Sequence, residues 1–261
     1  MLIYPQIKES PIVGLSGMGG GTTGLSVAGA GIGIKTPFDW AFNFNGGSAT
    51  LGYQSGSAQS NLSSTGTVLG GWSSTGGIDN SGHFGTDGAD SNDNKWDFPS
   101  TDSVEGNQLN DLVSNFDQYA LSCWVKTTST ANSGCYTVYE TILGDTSGSV
   151  SGGLGITQGK PCVTNECQDL IGTSTVNSGD WEHIGFILES STCKIFINGE
   201  LNHTYTGITW SNGLRFKNLA GTYNYGNVKI NKMDALVIWV DRNITDQDIT
   251  NAYTVGNFDG I

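Results

Sequence analysis

The feature that most constrains this chain is a set of short segments in which apolar residues fall at every second position. YALSCWVKT places Tyr119, Leu121, Cys123 and Val125 on one side. WEHIGFIL and CKIFI repeat the scheme, and FDWAFNFN alternates aromatics at Phe38, Trp40, Phe42 and Phe44. A period of two is that of a half-buried β-strand, because successive side chains point to opposite faces. DALVIWV is a nearly unbroken apolar run and reads as a strand buried on both faces. Asn198-Gly199 stands between CKIFI and ELNHTY, and both positions accept positive φ, so the dipeptide predicts a tight hairpin. Residues 46–110 are rich in Gly, Ser and Asp and carry too weak a pattern to assign strands.

Composition agrees with this reading and excludes several function classes. The chain has 261 residues, with 39 Gly and only 13% charged residues, which suits short strands joined by polar turns and leaves little material for long amphipathic helices. The formal net charge of −13, without a basic stripe, argues against nucleic-acid binding. Lys8, Glu9 and Pro5 fall where a secretory signal needs its apolar segment. The run Val27 to Ile34 is diluted by glycine and too short to span a bilayer, so no membrane insertion is expected. The chain is expected to stay in the cytoplasm where it is made, or to leave by another route such as release inside a virus particle.

Residues 1–35 form a separate class of sequence. After Pro5 and Pro11 comes SGMGGGTTGLSVAGAGIGI, which loses much entropy on ordering and buries little apolar area. Such an arm is expected to be held from outside, by a neighbouring subunit or a larger assembly, through Tyr4, Pro5, Ile12, Val13, Leu15 and Met18. The alternative is an extra strand on its own body. Gly29, Gly31 and Gly33 do not make a dinucleotide loop, since Thr36-Pro37 follows where a helix is required. The domain division is therefore an extended arm over 1–35 and a β-sandwich over 36–261.

One helix is predicted near the C-terminus. Thr245 reads as an N-cap with Asp248 at the third helical position, Ile244 and Ile249 stand at the spacing of a hydrophobic staple, and Gly256 is the stop. The five cysteines (Cys123, Cys135, Cys162, Cys167, Cys193) make no metal pattern. Cys162 and Cys167 are spaced to close a small loop, but an odd total favours free thiols or at most one bridge. Cys123 and Cys193 sit in strand patterns as small buried residues.

Several of these pieces, in order, resemble the laminin-G-like branch of the concanavalin A-like jelly rolls over about residues 107–261, with FNFNGG as a candidate opening strand. They are FDQYALSCWVKT, YETILGD, GLGIT, a Trp-x-His strand opening (Trp181, His183), the Asn198-Gly199 hairpin, and a closing helix matched by Asp246, Ile249, Tyr253 and Gly256. The resemblance implies an all-β antiparallel sandwich used mainly for binding, often of glycans, with function carried on rim loops. The Gly-rich arm on a chain without an export signal is similar to tailed-phage virion proteins. That likeness implies attachment to other virion subunits through residues 1–35, a homo-oligomer, and display of the body at the virion surface as a capsid decoration or fibre-like component. An extracellular location is the alternative.

Residues for catalysis are not assembled. Sandwich glycosidases set two carboxylates close together on one strand, and this chain has no such row. Glu140 and Asp145 are too far apart and on opposite faces, Glu182 stands alone, and all three read as solvent-facing. His83, His183 and His203 are dispersed, His183 as a packed strand residue and His203 on an exposed face. No Gly-x-Ser-x-Gly elbow occurs. A non-enzymatic protein is expected.

Two binding sites are candidates. DGADSNDN supplies Asp87, Asp90 and Asp93 to calcium, which takes six to eight oxygens, although the spacing departs from an EF-hand and Asp and Asn are ordinary turn formers. GITWSNGLRFKNLAGTYNYGN supplies Trp210, Asn212, Tyr223 and Tyr225, aromatics beside an amide as host-cell glycans require. The competing reading has these aromatics capping the sandwich core or filling a subunit interface.

Overall fold

The computed structural model describes residues 40–42, 72–73, 75–78, 83–84, 96–97, 103–104, 107–108, 113–132, 140–144, 152–165, 168–210, 214–216, 218–219 and 232–256, the short strands before residue 113 and at 218–219 by their backbone. Its strands are β1 (Trp40–Phe42), β2 (Trp72–Ser73), β3 (His83–Phe84), β4 (Trp96–Asp97), β5 (Ser103–Val104), β6 (Asn107–Gln108), β7 (Gln118–Lys126) and β8 (Glu140–Gly144). They continue as β9 (Gly152–Thr157), β10 (Lys160–Asn165), β11 (Gln168–Ile171), β12 (Glu182–Glu189), β13 (Thr192–Ile197), β14 (Glu200–Thr206), β15 (Asn218–Leu219) and β16 (Lys232–Val240). A helix, α1 (Asp246–Val255), follows.

Among the described residues these strands make two large antiparallel sheets. The first has the order β14-β13-β12-β7-β16, and the far edge of β16 takes β1 opposite Leu236–Ile238 and β3 opposite Met233, with β2 beyond β3. The second has the order β11-β10-β9-β8-β15-β4, while β5 and β6 pair by themselves. This is the antiparallel sandwich that the alternation predicts. Tyr119, Leu121, Cys123 and Val125 of β7, with Ile184, Phe186 and Leu188 of β12, face Ile142, Leu154, Ile156 and Val163 of the second sheet. Each fully buried aliphatic or aromatic side chain there contributes about 1.5–3 kcal/mol. Tyr205 fastens one edge of the sandwich: its hydroxyl donates to the Ile171 carbonyl at 2.8 Å and accepts from the Ile171 amide at 3.0 Å.

The predicted hairpin and helix are both present. Asn198 and Gly199 have φ of 50° and 78°, the positive pair of a type I′ turn joining β13 to β14. At the start of α1 the Asp248 carboxylate accepts from both the Thr245 amide (2.9 Å) and the Thr245 hydroxyl (2.7 Å), and Gly256 ends the helix with φ of 68°. Gln118 fixes where α1 begins. Its side-chain amide donates to the Ile244 carbonyl at 3.0 Å, and its amide oxygen accepts from the Ile244 N–H.

The unbroken run of β16 has a specific cause. A bulge between Asp234 and Val237, with Ala235 at φ of 47°, shifts the register. Leu236, Ile238 and Val240 then enter the core between the sheets, while Ala235, Val237 and Trp239 join a second core on the outer face of the first sheet. The second core is closed by Ile244, Ile249 and Ala252, so the staple residues pack together as expected. Gly185 lets the helix approach, because a Cβ there would lie 2.6 Å from Ile249 Cγ2.

Cys123, Cys162 and Cys193 are buried free thiols, and burial pushes all three above the usual thiol range. The small loop that Cys162 and Cys167 were spaced to close is therefore not formed by Cys162; Cys135 and Cys167 lie outside the described residues. The 1–35 arm lies outside them as well.

Candidate functional site

The outer face of the first sheet gathers three neighbours into a row. His183 of β12 is paired with Trp124 of β7, and Trp124 with Asp234 of β16. All three occupy the positions alternate to the inner core, which places them on the side covered by α1. The His183 and Trp124 rings meet edge to face at 5.4 Å, and Tyr253 of α1 stacks on Trp124 at 5.5 Å with 28° between planes. Tyr253 also tilts against His183 at 5.6 Å. Gly199 makes room for it, since a Cβ there would stand 2.9 Å from Tyr253 Cδ1.

The row ends in two different polar environments. Asp234 is buried and engaged: one carboxylate oxygen accepts from the Ala235 amide (2.7 Å) and the other from the Ile78 amide (3.0 Å). These bonds tie the segment 75–78 across the sheet, and the Trp181 indole donates to the Gly76 carbonyl at 3.1 Å beside it. His183 is fully buried. Its Nε2 is 2.7 Å from Ser122 Oγ, the Asn198 side chain accepts from its backbone amide, and burial pushes its imidazole down to about 3, which keeps it neutral. Its Nδ1 and the Trp124 Nε1 are both buried without a hydrogen-bond partner among the described residues. Unpaired buried donors and acceptors are uncommon and costly, and two of them fall in this one ring cluster.

A second feature opens between the sheets. Val125, Glu140, Ile142, Ile156, Lys232 and Met233 are among the residues lining a crevice of about 230 Å³, its open mouth included. Glu140 is not solvent-facing as the sequence suggested. It is 4% exposed, because its pairing with Ile156 turns it toward the core, and its Oε1 accepts from the Thr127 hydroxyl at 2.7 Å. Among the described lining residues Glu140 is the one carboxylate, so a proton-donating and a proton-accepting carboxyl are not brought together.

The sequence-predicted site residues are placed as follows. Trp210 is not an exposed platform: it is 8% exposed, and its indole donates to the Glu189 carbonyl at 2.6 Å. It enters the inner core together with Ile208, Leu214 and Phe216, so a stretch with loop-like composition plugs the sandwich. For this residue the core-capping alternative is the arrangement found. Asn212, Tyr223 and Tyr225 lie outside the described residues, as do Asp87, Asp90 and Asp93, and Tyr4, Pro5, Ile12, Val13, Leu15 and Met18. Glu182 accepts from the Ser178 hydroxyl at 3.1 Å on the surface. His203 is half-buried against Tyr205, with ring centroids 4.5 Å apart. Among the described residues no group of three His, Cys, Asp or Glu side chains could hold a metal. Sequence reasoning missed Trp124. The available signal was a large aromatic on the face of β7 opposite to its core residues.

A family model described as the concanavalin A-like lectin/glucanases superfamily, of laminin-G type, matches residues 90–250. The chain belongs to that superfamily. Its members' common name covers both binding and cleavage of sugars, so membership fixes the fold and leaves the site to decide the use. Domain 4 of AbnA, an extracellular arabinanase from Geobacillus stearothermophilus in complex with arabinotriose, is similar at 16% identity and a TM-score of 0.55, over 84% of this chain and 98% of that one. The binding domain of botulinum neurotoxin serotype G is similar at 17% identity and a TM-score of 0.51, over 83% of this chain and 50% of that one. A sialidase of Trypanosoma rangeli in complex with the inhibitor DANA is similar at 12% identity and a TM-score of 0.55, over 87% of this chain and 33% of that one. The chain thus spans half the length of the toxin domain and a third of the sialidase. No curated protein matches its sequence.

Proposed function

We propose that this protein is a non-catalytic, lectin-like binding module. The observation that carries the reading is how the described carboxylates are used. Glu140 accepts from Thr127, Asp234 from two backbone amides, Asp241 from the Gln118 amide, and Asp248 from the helix cap. Each of these four holds the fold, and Glu140 is the one carboxylate among the described residues lining the crevice between the sheets. The likeness to an arabinotriose-bound domain and to a toxin binding domain supports recognition of a carbohydrate or a receptor. Incubation with a polysaccharide panel tests the catalytic side: no new reducing ends are expected, and turnover of any member would overturn the reading.

The finer proposal is display at a virion surface. Residues 1–35 would attach to other virion subunits, and the sandwich would face outward, as a homo-oligomer, toward host glycans. The support is the Gly-rich, core-poor composition of the arm. Deleting residues 1–35 is expected to abolish particle association while the body keeps its melting transition; a truncated protein that still loads onto particles would remove the role. Calcium at Asp87, Asp90 and Asp93 would be read as a calcium-dependent rise in Tm.

A further inference from the structure

We propose that Tyr253 is the movable cover of a saccharide subsite whose floor is the Trp124 indole and whose polar end is Trp124 Nε1 with His183 Nδ1. This rests on the lectin-like reading above and names the site for it. Three observations converge on the same few residues. Trp124 and His183 each hold a buried ring nitrogen without a partner among the described residues. An aromatic ring already occupies the face where a sugar would stack, which shows that the Trp124 surface accepts a flat apolar group. That occupant stands at the surface: Tyr253 is 36% exposed and lies in the last turn of α1.

The chemistry selects the ligand class. The Trp124 N–H is a donor only, so the group that meets it must accept. His183 Nδ1 is a donor if Ser122 donates to Nε2, and an acceptor if Nε2 donates to Ser122. A hydroxyl both donates and accepts and therefore satisfies either tautomer. A carboxylate cannot donate, and it would approach a chain of net charge −13. The C–H face of a pyranose or furanose fits the vacated aromatic surface. A neutral sugar presenting ring hydroxyls meets all of these requirements.

The test is an array of neutral and acidic glycans followed by titration of the strongest neutral binder against the full chain and two variants. Wild type is expected to bind a neutral glycan. Trp124→Phe keeps a stacking ring and removes the N–H, and is expected to weaken binding about tenfold. Tyr253→Ala removes the competing ring, and is expected to tighten binding severalfold even as Tm falls; a purely structural tyrosine would lower Tm without tightening. The indole N–H resonance of Trp124, assigned by its loss in Trp124→Phe, is expected to move on glycan addition, and this readout stands if Tyr253→Ala does not fold. A wild type that binds while both variants bind equally well, with an unmoved Trp124 resonance, overturns the subsite and leaves the lectin-like reading intact. A wild type that binds only acidic glycans overturns the ligand class. Failure of wild type to bind any glycan removes both the subsite and the carbohydrate reading.

Discussion

The two cores of this protein lie on opposite faces of one sheet and are built by different rules. Between the sheets, Leu121, Ile184, Phe186, Leu154 and Val163 meet partners supplied by the same period-two alternation. On the outer face, Ala120, Ile187, Phe196, Val237 and Trp239 are covered by a helix from the end of the chain and by the segment at 75–78. The inner core includes one orphaned hydroxyl, that of Tyr119, whose burial raises it far above the usual phenol range. The outer layer mixes a carboxylate, an imidazole and an indole into its apolar surface. A sandwich needs its inner core to exist. Its outer cover, in the described residues, is a single helix and a short crossing segment, and buried polar side chains from three neighbouring strands lie beneath it.

Five substitutions would break or sharpen that contrast. Phe186→Ala, fully buried between the sheets, is expected to cost about 3–5 kcal/mol in urea denaturation, the largest single effect. His183 provides the next. Its folded-state value near 3 lies below the ordinary 6.5, so the unfolded chain binds an extra proton between those limits. The contribution of neutral His183 is complete above pH 6.5 and is lost as pH falls toward 3, at about 1.4 kcal/mol per unit. By pH 4 wild type should lose roughly 3 kcal/mol more than His183→Gln, and parallel pH profiles would show that the outer cluster is not dry.

Gly185→Ala tests the seat of α1. Its Cβ would meet the Ile249 Cγ2 methyl at 2.6 Å, so a loss of about 1–3 kcal/mol is expected, with reduced amide protection in α1 and unchanged protection in β8 to β10. Thr245→Val removes the hydroxyl that reaches Asp248 and should cost about 1 kcal/mol. Lys194→Met, at the 2.6 Å ion pair with Asp246, should change stability by less than about 0.5 kcal/mol, because both side chains are substantially exposed. A cost above that of the cap would mean that α1 is held by charge and not by its apolar face.

The inner core was the legible part, because each strand reports its own buried face. Tyr119, Leu121, Cys123 and Val125 all point inward as their spacing requires. The hairpin at Asn198-Gly199 and the helix with its cap and staple were equally legible, since their signals span only a few residues. For Trp210 the sequence left two readings open, and only the fold decides for the core-capping one: Ile208, Trp210, Leu214 and Phe216 insert between sheets whose strands are distant in sequence. Glu140 was misjudged, since its direction depends on pairing with Ile156 across a bulge.

The order and period of the residues alone determined the sandwich, its hairpin, its closing helix and its kinship with the concanavalin A-like superfamily, because alternation and capping act over a few positions. Only the tertiary structure decided that Trp124, His183 and Tyr253 meet. Their contact requires β7, β12 and α1 to be brought together across 129 positions of chain from Trp124 to Tyr253, and no local pattern encodes which distant ring will stack on Trp124.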